Sequence, residues 1–396
     1  MNANFHPLTT SIATEKVQSS TICYEQALQQ VCNAIIRNVR KVGDRNPKIG
    51  VPGTVQYQFC PPSDWVSGFW SGQLWLAYKV TGETTLKNSA SMRRNYFKTL
   101  IAHPDWLDHD LGFQFSLSSV AEYKLTGDEE CKTLALQAAD ALLSRFRRVG
   151  KYIVAWNETH ELGLEKTQGR TIIDSLQNLA LLFWASDITS NPVYRKAAIE
   201  HADTLEKHII REDYSTYHCF LFDPATQQPL RGETFQGYAD ESCWARGQSW
   251  AIHAFAQIFE HTGDIKYLET AKKLADYAIE HLPEDGIPLW DFNLPKSEPQ
   301  YRDSSAAAII AAGLLLIATH CEDNTEQARY RKAGTDILAA LIKQCDLSSD
   351  PEAEGLLSEG ASFVNAGLCD NMLPYGDYYF VEALMRANGY TDFFWK

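Results

Sequence analysis

Tyr78-Lys-Val-Thr-Gly-Glu83 returns as Tyr123-Lys-Leu-Thr-Gly-Asp128 and again as Phe259-Glu-His-Thr-Gly-Asp264. In each copy the glycine ends one helix in the left-handed cap conformation, and the acidic residue after it starts the next. Trp184-Ala-Ser-Asp-Ile-Thr-Ser190 and His320-Cys-Glu-Asp-Asn324 follow the same logic in weaker form. The phrase marks the tight turn of a helix pair, and its recurrence makes the chain an array of such pairs.

The helices on the two sides of the phrase differ in kind. After Asp264, Leu268, Ala271, Leu274, Ala275 and Ala278 fall on one face, while Lys266, Glu269, Lys272, Lys273, Asp276 and Glu280 take the other. That is an amphipathic helix with one buried side. Similar helices are predicted at about residues 24–41, 84–101, 129–146, 191–209 and 325–344. Their partners, at about 68–80, 111–125, 172–187, 241–261, 303–319 and 376–388, are poor in charge and apolar around most of their circumference. Six outer and six inner helices in strict alternation predict an all-α fold, an (α/α)6 barrel with the inner helices as its core ring. An open helical solenoid is the runner-up. The expected organisation is an N-terminal arm, residues 1–23, and a single barrel domain over residues 24–396.

The connections carry the functional expectation. Inner-to-outer turns are short, but the outer-to-inner connections, about 42–67, 147–171, 210–240, 282–302 and 345–375, are long. They gather at one end, above the N-termini of the inner helices, and long ordered loops commonly carry function. The free N–H groups of those N-termini suit a bound carboxylate, although the net charge of the 396 residues is −14.

Composition narrows the classes. Apolar residues make up 45% and charged residues 22%, as in a soluble globular protein. The acidic balance argues against nucleic acid or an anionic membrane as partner. Nine widely spaced cysteines without a CxxC speak against a disulfide framework or a zinc site and suit a reducing cytoplasm. The first twenty residues lack the apolar core of a secretory signal. No dinucleotide fingerprint, P-loop, GxSxG or HExxH is present, and His103, His109 and His160 form no convincing metal cluster, so neither metal nor cofactor is expected.

At the loop end two carboxyls stand out. Asp110 opens the second inner helix and Asp174 the third. An aspartate there is ordinarily a cap, but Asp174 sits between Ile172-Ile173 and Leu176, where desolvation and a second carboxylate would raise its pKa. Carboxyl pairs with separated pKa values perform acid–base work on glycosides. Trp65 and Trp156 fall in the loops and are candidates for a sugar-stacking wall, whereas Trp244, inside a helix, reads as packing. His218 is a loop histidine. Arg246 stands in an otherwise uncharged helical stretch and needs a carboxylate partner, from the protein or from a substrate.

Five segments together carry a resemblance. These are Trp65 to Trp75, His109-Asp-Leu-Gly-Phe113, Ile172-Ile-Asp174, Gln236-Gly-Tyr-Ala-Asp-Glu-Ser-Cys-Trp-Ala-Arg-Gly-Gln248 and Tyr375-Gly-Asp-Tyr-Tyr-Phe380. From about residue 24 onward the chain resembles the unsaturated glucuronyl hydrolases of glycoside hydrolase family 88. The resemblance implies an (α/α)6 barrel and a substrate bearing a C4=C5 unsaturated glucuronic acid, as lyases leave on glycosaminoglycan-type oligosaccharides. It implies removal of that sugar by hydration of the double bond, with Asp174 as general acid/base and Asp110 assisting. Trp65 and Trp156 then match aromatic residues packed on the sugars, and His218, Gln236, Arg246 and Tyr375 match polar residues around the uronate. Two departures go with it. Phe235 stands where some members have His, and residues 344–385 contain no Lys or Arg to serve a sulfated second sugar. The alternatives are an unsaturated rhamnogalacturonyl hydrolase acting on pectin fragments, with the same fold and chemistry, and a non-catalytic glycan-binding helical protein. An epimerase of this architecture would want catalytic histidine pairs, which are not found.

Overall fold

The turn phrases fold as their residues dictate. In the computed structural model, which describes residues 22–157 and 167–396, Gly82, Gly127 and Gly263 adopt φ of +69°, +74° and +69°. A side chain is strained in that region, which is why glycine recurs at the position. Directly after them the Asp128 carboxylate accepts from the Glu130 and Cys131 N–H groups, and Asp264 accepts from the Lys266 N–H. Asn191 and Asp323 cap their helices in the same way. The arm at residues 1–21 and His160 lie outside the described residues.

The inner helices form a closed ring. Ser67–Thr81 packs on the segment Leu111–Thr126, which packs on the segment Ile173–Thr189. The ring continues through Ala245–Thr262, Ser304–His320 and Pro374–Ala387, and the last of these returns to Ser67–Thr81. The outer helices alternate with them, from Tyr24–Val42 to Asn324–Gln344. This is the (α/α)6 barrel, and the ring closure excludes the open solenoid. Ser304–His320 buries fifteen of its seventeen residues, from Ser304 to Ala318.

Three elements depart from regular helices. The outer helix predicted at 84–101 is two, Thr84–Ser91 and Arg94–Ile101. The buried Arg93 guanidinium donates to the Ser89 carbonyl, the acceptor that its own backbone N–H would use in a continuous helix. It also reaches the Gly43 and Arg45 carbonyls at 2.6 and 2.9 Å, so side-chain bonding to a neighbouring loop interrupts the ladder. The second inner helix widens into a π-turn at Ser116–Val120. The third begins as a 3-10 turn, Ile173–Leu176, before the α-helix Leu179–Thr189.

The long connections also hold small antiparallel sheets that the sequence reading leaves as loops. Pro47–Gly50 pairs with Tyr57–Phe59, and Phe146–Arg147 with Tyr152–Ile153. Arg170–Ile172 pairs with Cys219–Phe222, which pairs in turn with Pro229–Glu233. The loops bond to one another around the barrel end: His109 N–H to the Ala155 carbonyl, Ile173 N–H to the His218 carbonyl, Ser304 N–H to the Glu359 carbonyl and Gly50 N–H to the Met372 carbonyl. One continuous rim results, and it fixes the residues at the inner helix N-termini.

All nine cysteines are free thiols. No helix among the described residues is long and apolar enough to cross a membrane.

Candidate active site

The rim brings the two aspartates together through a residue not foreseen from the sequence. Asn178 lies four residues after Asp174, in the turn that joins the 3-10 turn Ile173–Leu176 to the helix Leu179–Thr189. Its Nδ2 donates to the Asp110 carboxylate at 3.3 Å and to the Asp174 main-chain carbonyl at 3.2 Å. Its Oδ1 accepts from the Phe113 N–H at 2.7 Å. The approach is so close that a Cβ on Gly112 would stand 2.3 Å from the Asn178 Cα, so only glycine fits there. Its partners Phe113 and Asp110 lie 65 and 68 residues away in sequence, which hid it. Asn178→Ala removes all three bonds and leaves the Phe113 N–H buried without an acceptor. The expected cost is about 1–3 kcal/mol of stability and roughly a tenfold to hundredfold loss of turnover from the unpinned Asp110 carboxyl and the loosened Asp174 backbone, read by thermal unfolding and steady-state kinetics.

Both carboxyls are buried and shifted. Burial pushes Asp174 up to about 7, against the opposing pull of the Arg246 charge. Its Oδ1 is buried and has no hydrogen-bond partner within the protein. Asp110 is held well above the ordinary carboxyl range by burial first, then by the charges of Asp108 and Asp174. Neither is a simple helix cap: the Asp110 side chain makes no cap bond, and Asp174 lies inside its 3-10 turn.

The remaining candidates close a ring around this pair. His109 lies 3.5 Å from the Asp110 carboxylate and meets the edge of Trp156, whose ring centre is 5.2 Å from Phe235. His218 is buried rather than a surface loop histidine, and its ring lies 4.5 Å from Trp244. Its Nδ1 accepts from the Phe235 and Gln236 N–H groups at 3.1 and 3.3 Å. The imidazole proton is therefore on Nε2, which is buried without a partner. Burial, and then Arg246, lower its pKa to about 3, so His218 stays a neutral N–H donor.

Arg246 finds its carboxylate within the protein, in Asp303, at 2.7 Å. It also donates to the Ala361 and Ser362 carbonyls, both at 2.5 Å, so three of its five N–H groups are committed. Gln236 donates to the same Ser362 carbonyl at 2.9 Å. The guanidinium lies 4.5 Å from the Trp244 ring and 5.2 Å from that of Tyr375. Tyr375 stacks on Trp65 at 5.1 Å, and burial raises its hydroxyl to about 12. Trp65 and Trp156 keep partial exposure while Trp244 is buried. Asp303 and Ser362 were missed because each acts from a different inner helix or loop, distant in sequence.

Among the described residues, one His/Cys/Asp/Glu group has metal-ligand spacing: Glu122, Asp128 and Cys131. Arg94 bridges its two carboxylates as an ion pair.

The matching family model is Glycosyl Hydrolase Family 88, over residues 29–392. The chain belongs to this family. An unsaturated glucuronyl hydrolase of Bacillus sp. (strain GL1) is 39% identical over 94% of this chain and 98% of its own. An unsaturated chondroitin disaccharide hydrolase of Streptococcus agalactiae is 34% identical over 94% of this chain and 93% of its own. The crystal structure of the unsaturated glucuronyl hydrolase from Bacillus sp. GL1, described as responsible for the degradation of glycosaminoglycan, superposes with a TM-score of 0.87 over 93% of this chain and 97% of that one. This family 88 chain is thus a glycoside hydrolase matched along almost its whole length.

Proposed function

We propose that the enzyme removes the C4=C5 unsaturated glucuronic acid from the non-reducing end of lyase-generated glycosaminoglycan-type oligosaccharides. The observation that carries the reading is Asp174, a buried carboxyl with a pKa of about 7 and an unengaged oxygen. Near neutral pH such a group is part acid and part base, which is what hydration of a vinyl ether asks of it. The carboxyl of Asp174 donates its proton to C4, and positive charge develops at C5. The resulting carboxylate takes a proton from water as the water oxygen bonds to C5. The C5 hemiketal opens to a ketone, and the hemiacetal left at C1 releases the second sugar. Water is consumed, and Asp174 regains its proton.

Asp110, kept neutral by burial and by its acidic neighbours, orients the sugar by hydrogen bonding. Trp65 and Trp156 supply the aromatic wall. The His218 Nε2–H, the remaining Arg246 donors, Gln236 and Tyr375 receive the uronate. The names of the relatives, which specify unsaturated glucuronyl and unsaturated chondroitin disaccharide substrates, support this class. The nine free thiols support a cytoplasmic setting for the chemistry. The family match over residues 29–392 supports one catalytic domain spanning residues 24–396.

The test is the ultraviolet absorbance of the double bond conjugated to the carboxylate, which hydration abolishes. Incubation with unsulfated and sulfated unsaturated glucuronyl disaccharides should remove the absorbance of at least one. Absorbance that persists on all of them, but falls on an unsaturated rhamnogalacturonyl disaccharide, would move the enzyme to the pectin-directed class.

A further inference from the structure

We propose that His201, on the outer helix Pro192–His208, is a positioning residue that holds the Asp174 turn in place through Ser175. The assignment rests on the reading of Asp174 as acid/base. His201 is fully buried, and its two ring nitrogens touch two different parts of the rim. Nδ1 accepts from the Ile153 N–H at 3.0 Å, and Nε2 lies 2.8 Å from the Ser175 hydroxyl. Ile153 ends the short strand that runs on, through Val154 and Ala155, to Trp156. Ser175 is the residue after Asp174 in the 3-10 turn. One imidazole therefore ties the strand that leads to the aromatic wall to the turn that carries the acid.

The direction of the protons defines what the pair does. An N–H donated to Nδ1 leaves the imidazole proton on Nε2. The Ser175 hydroxyl spends its own proton on the Ile172 carbonyl at 2.5 Å, so its oxygen accepts from His201 Nε2–H. In a serine–histidine nucleophile pair the proton runs the other way, from serine to imidazole. Burial lowers the His201 pKa to about 3, so the ring stays neutral and keeps this single tautomer. Ser175 is thus a clamp and not a nucleophile.

The turn needs such a clamp. Asp174 is not in a long helix: its main-chain carbonyl accepts from Gln177 N–H and Asn178 Nδ2, and the turn is otherwise held by Ile173 N–H on the His218 carbonyl and by Ser175. Displacing a reacting carboxyl by about 1 Å costs on the order of a hundredfold in rate.

Two near-isosteric variants separate the two contacts. His201→Asn keeps an oxygen near the Nδ1 position for Ile153 but does not reach Ser175. His201→Gln carries an amide N–H out to the Nε2 position. With the unsaturated disaccharide as substrate, and variants assayed where circular dichroism shows them folded, His201→Asn should lower kcat by about 10–100-fold, with KM within about threefold of wild type. His201→Gln should restore kcat to within about threefold. Ser175→Ala should match His201→Asn, and the double variant should be no worse than either, because both remove one contact. Equal kcat in wild type and His201→Asn would overturn the assignment. So would losses in which Gln does not rescue, or in which KM and kcat move together. A wild-type enzyme that leaves every unsaturated uronyl substrate intact would overturn the acid/base reading and this assignment with it.

Discussion

Asp174→Asn is expected to lower kcat by about 10³–10⁴-fold, with little change in KM, and at the same time to raise stability in alkaline solution. The kinetic part follows from the proton inventory: an amide neither donates to C4 nor accepts from water, and general acid–base groups contribute factors of this order. In wild type the group must be protonated for the first step, so activity should fall as pH rises through about 7. The variant's residual activity should lack that limb. The stability part follows from linkage. The folded-state pKa, about 7, lies above the ordinary value of 3.8. The unfolded chain therefore loses this proton at lower pH than the folded one, and the native state bears a cost that grows from pH 4 to pH 7 and is complete above it. A difference of that size corresponds to about 4 kcal/mol at most. Asn carries no such cost. Thermal unfolding at pH 8 should show the variant above wild type, and the gap should close as pH falls toward 4. A gap independent of pH, or turnover near wild type, would remove Asp174 from the chemistry.

How much of this could be read from residues alone follows from the range of the forces involved. Helix ends are local, so Gly82, Gly127 and Gly263, each followed by an acidic cap, announce the pairs directly. Burial period is nearly as local, and it separates the inner Ala306–Ala318 run from the charged helix after Asp264. The apolar setting of Asp174 was legible for the same reason: Ile172, Ile173 and Leu176 are its neighbours in sequence. Contacts that cross the barrel were not legible. A strand as short as Arg170–Ile172 shows a single alternation, and its partner Cys219–Phe222 lies in another connection. The same distance hid Asp303 as the partner of Arg246 and hid the burial of the loop residue His218. The break at Arg93 was hidden differently: a side chain that takes its own helix's carbonyl leaves no trace in periodicity.

The second large effect is expected away from the rim, at Glu382, and its pH dependence has the opposite sign. This carboxylate is fully buried on the last inner helix. It accepts from Arg386 at 2.8 Å, from Trp395 Nε1 at 2.9 Å and from His253 Nε2 at 2.8 Å, joining two inner helices and the C-terminal segment. Burial alone would raise its pKa; Arg386, His253 and Trp395 outweigh that and pull it down to about 2. Glu382→Leu leaves the Arg386 charge and two N–H groups buried without their acceptor. Breaking a buried ion pair from one side costs about 3–5 kcal/mol. The isosteric Glu382→Gln tests the sign. A folded pKa below the ordinary 4.5 means that the stabilisation is complete above pH 4.5 and is lost as pH falls toward 2. It amounts to about 3 kcal/mol for a shift of this size. The unfolding temperature of Glu382→Gln should therefore lie well below wild type at pH 7 and approach it below pH 3, whereas Asp174→Asn lies above wild type at pH 8. If Glu382→Gln matched wild type at pH 7, the inner ring would be held by packing alone. The opposed signs separate the two buried carboxyls: Glu382 is surrounded by donors that keep its charge, and Asp174 is left short of them, so that its proton is available to a substrate.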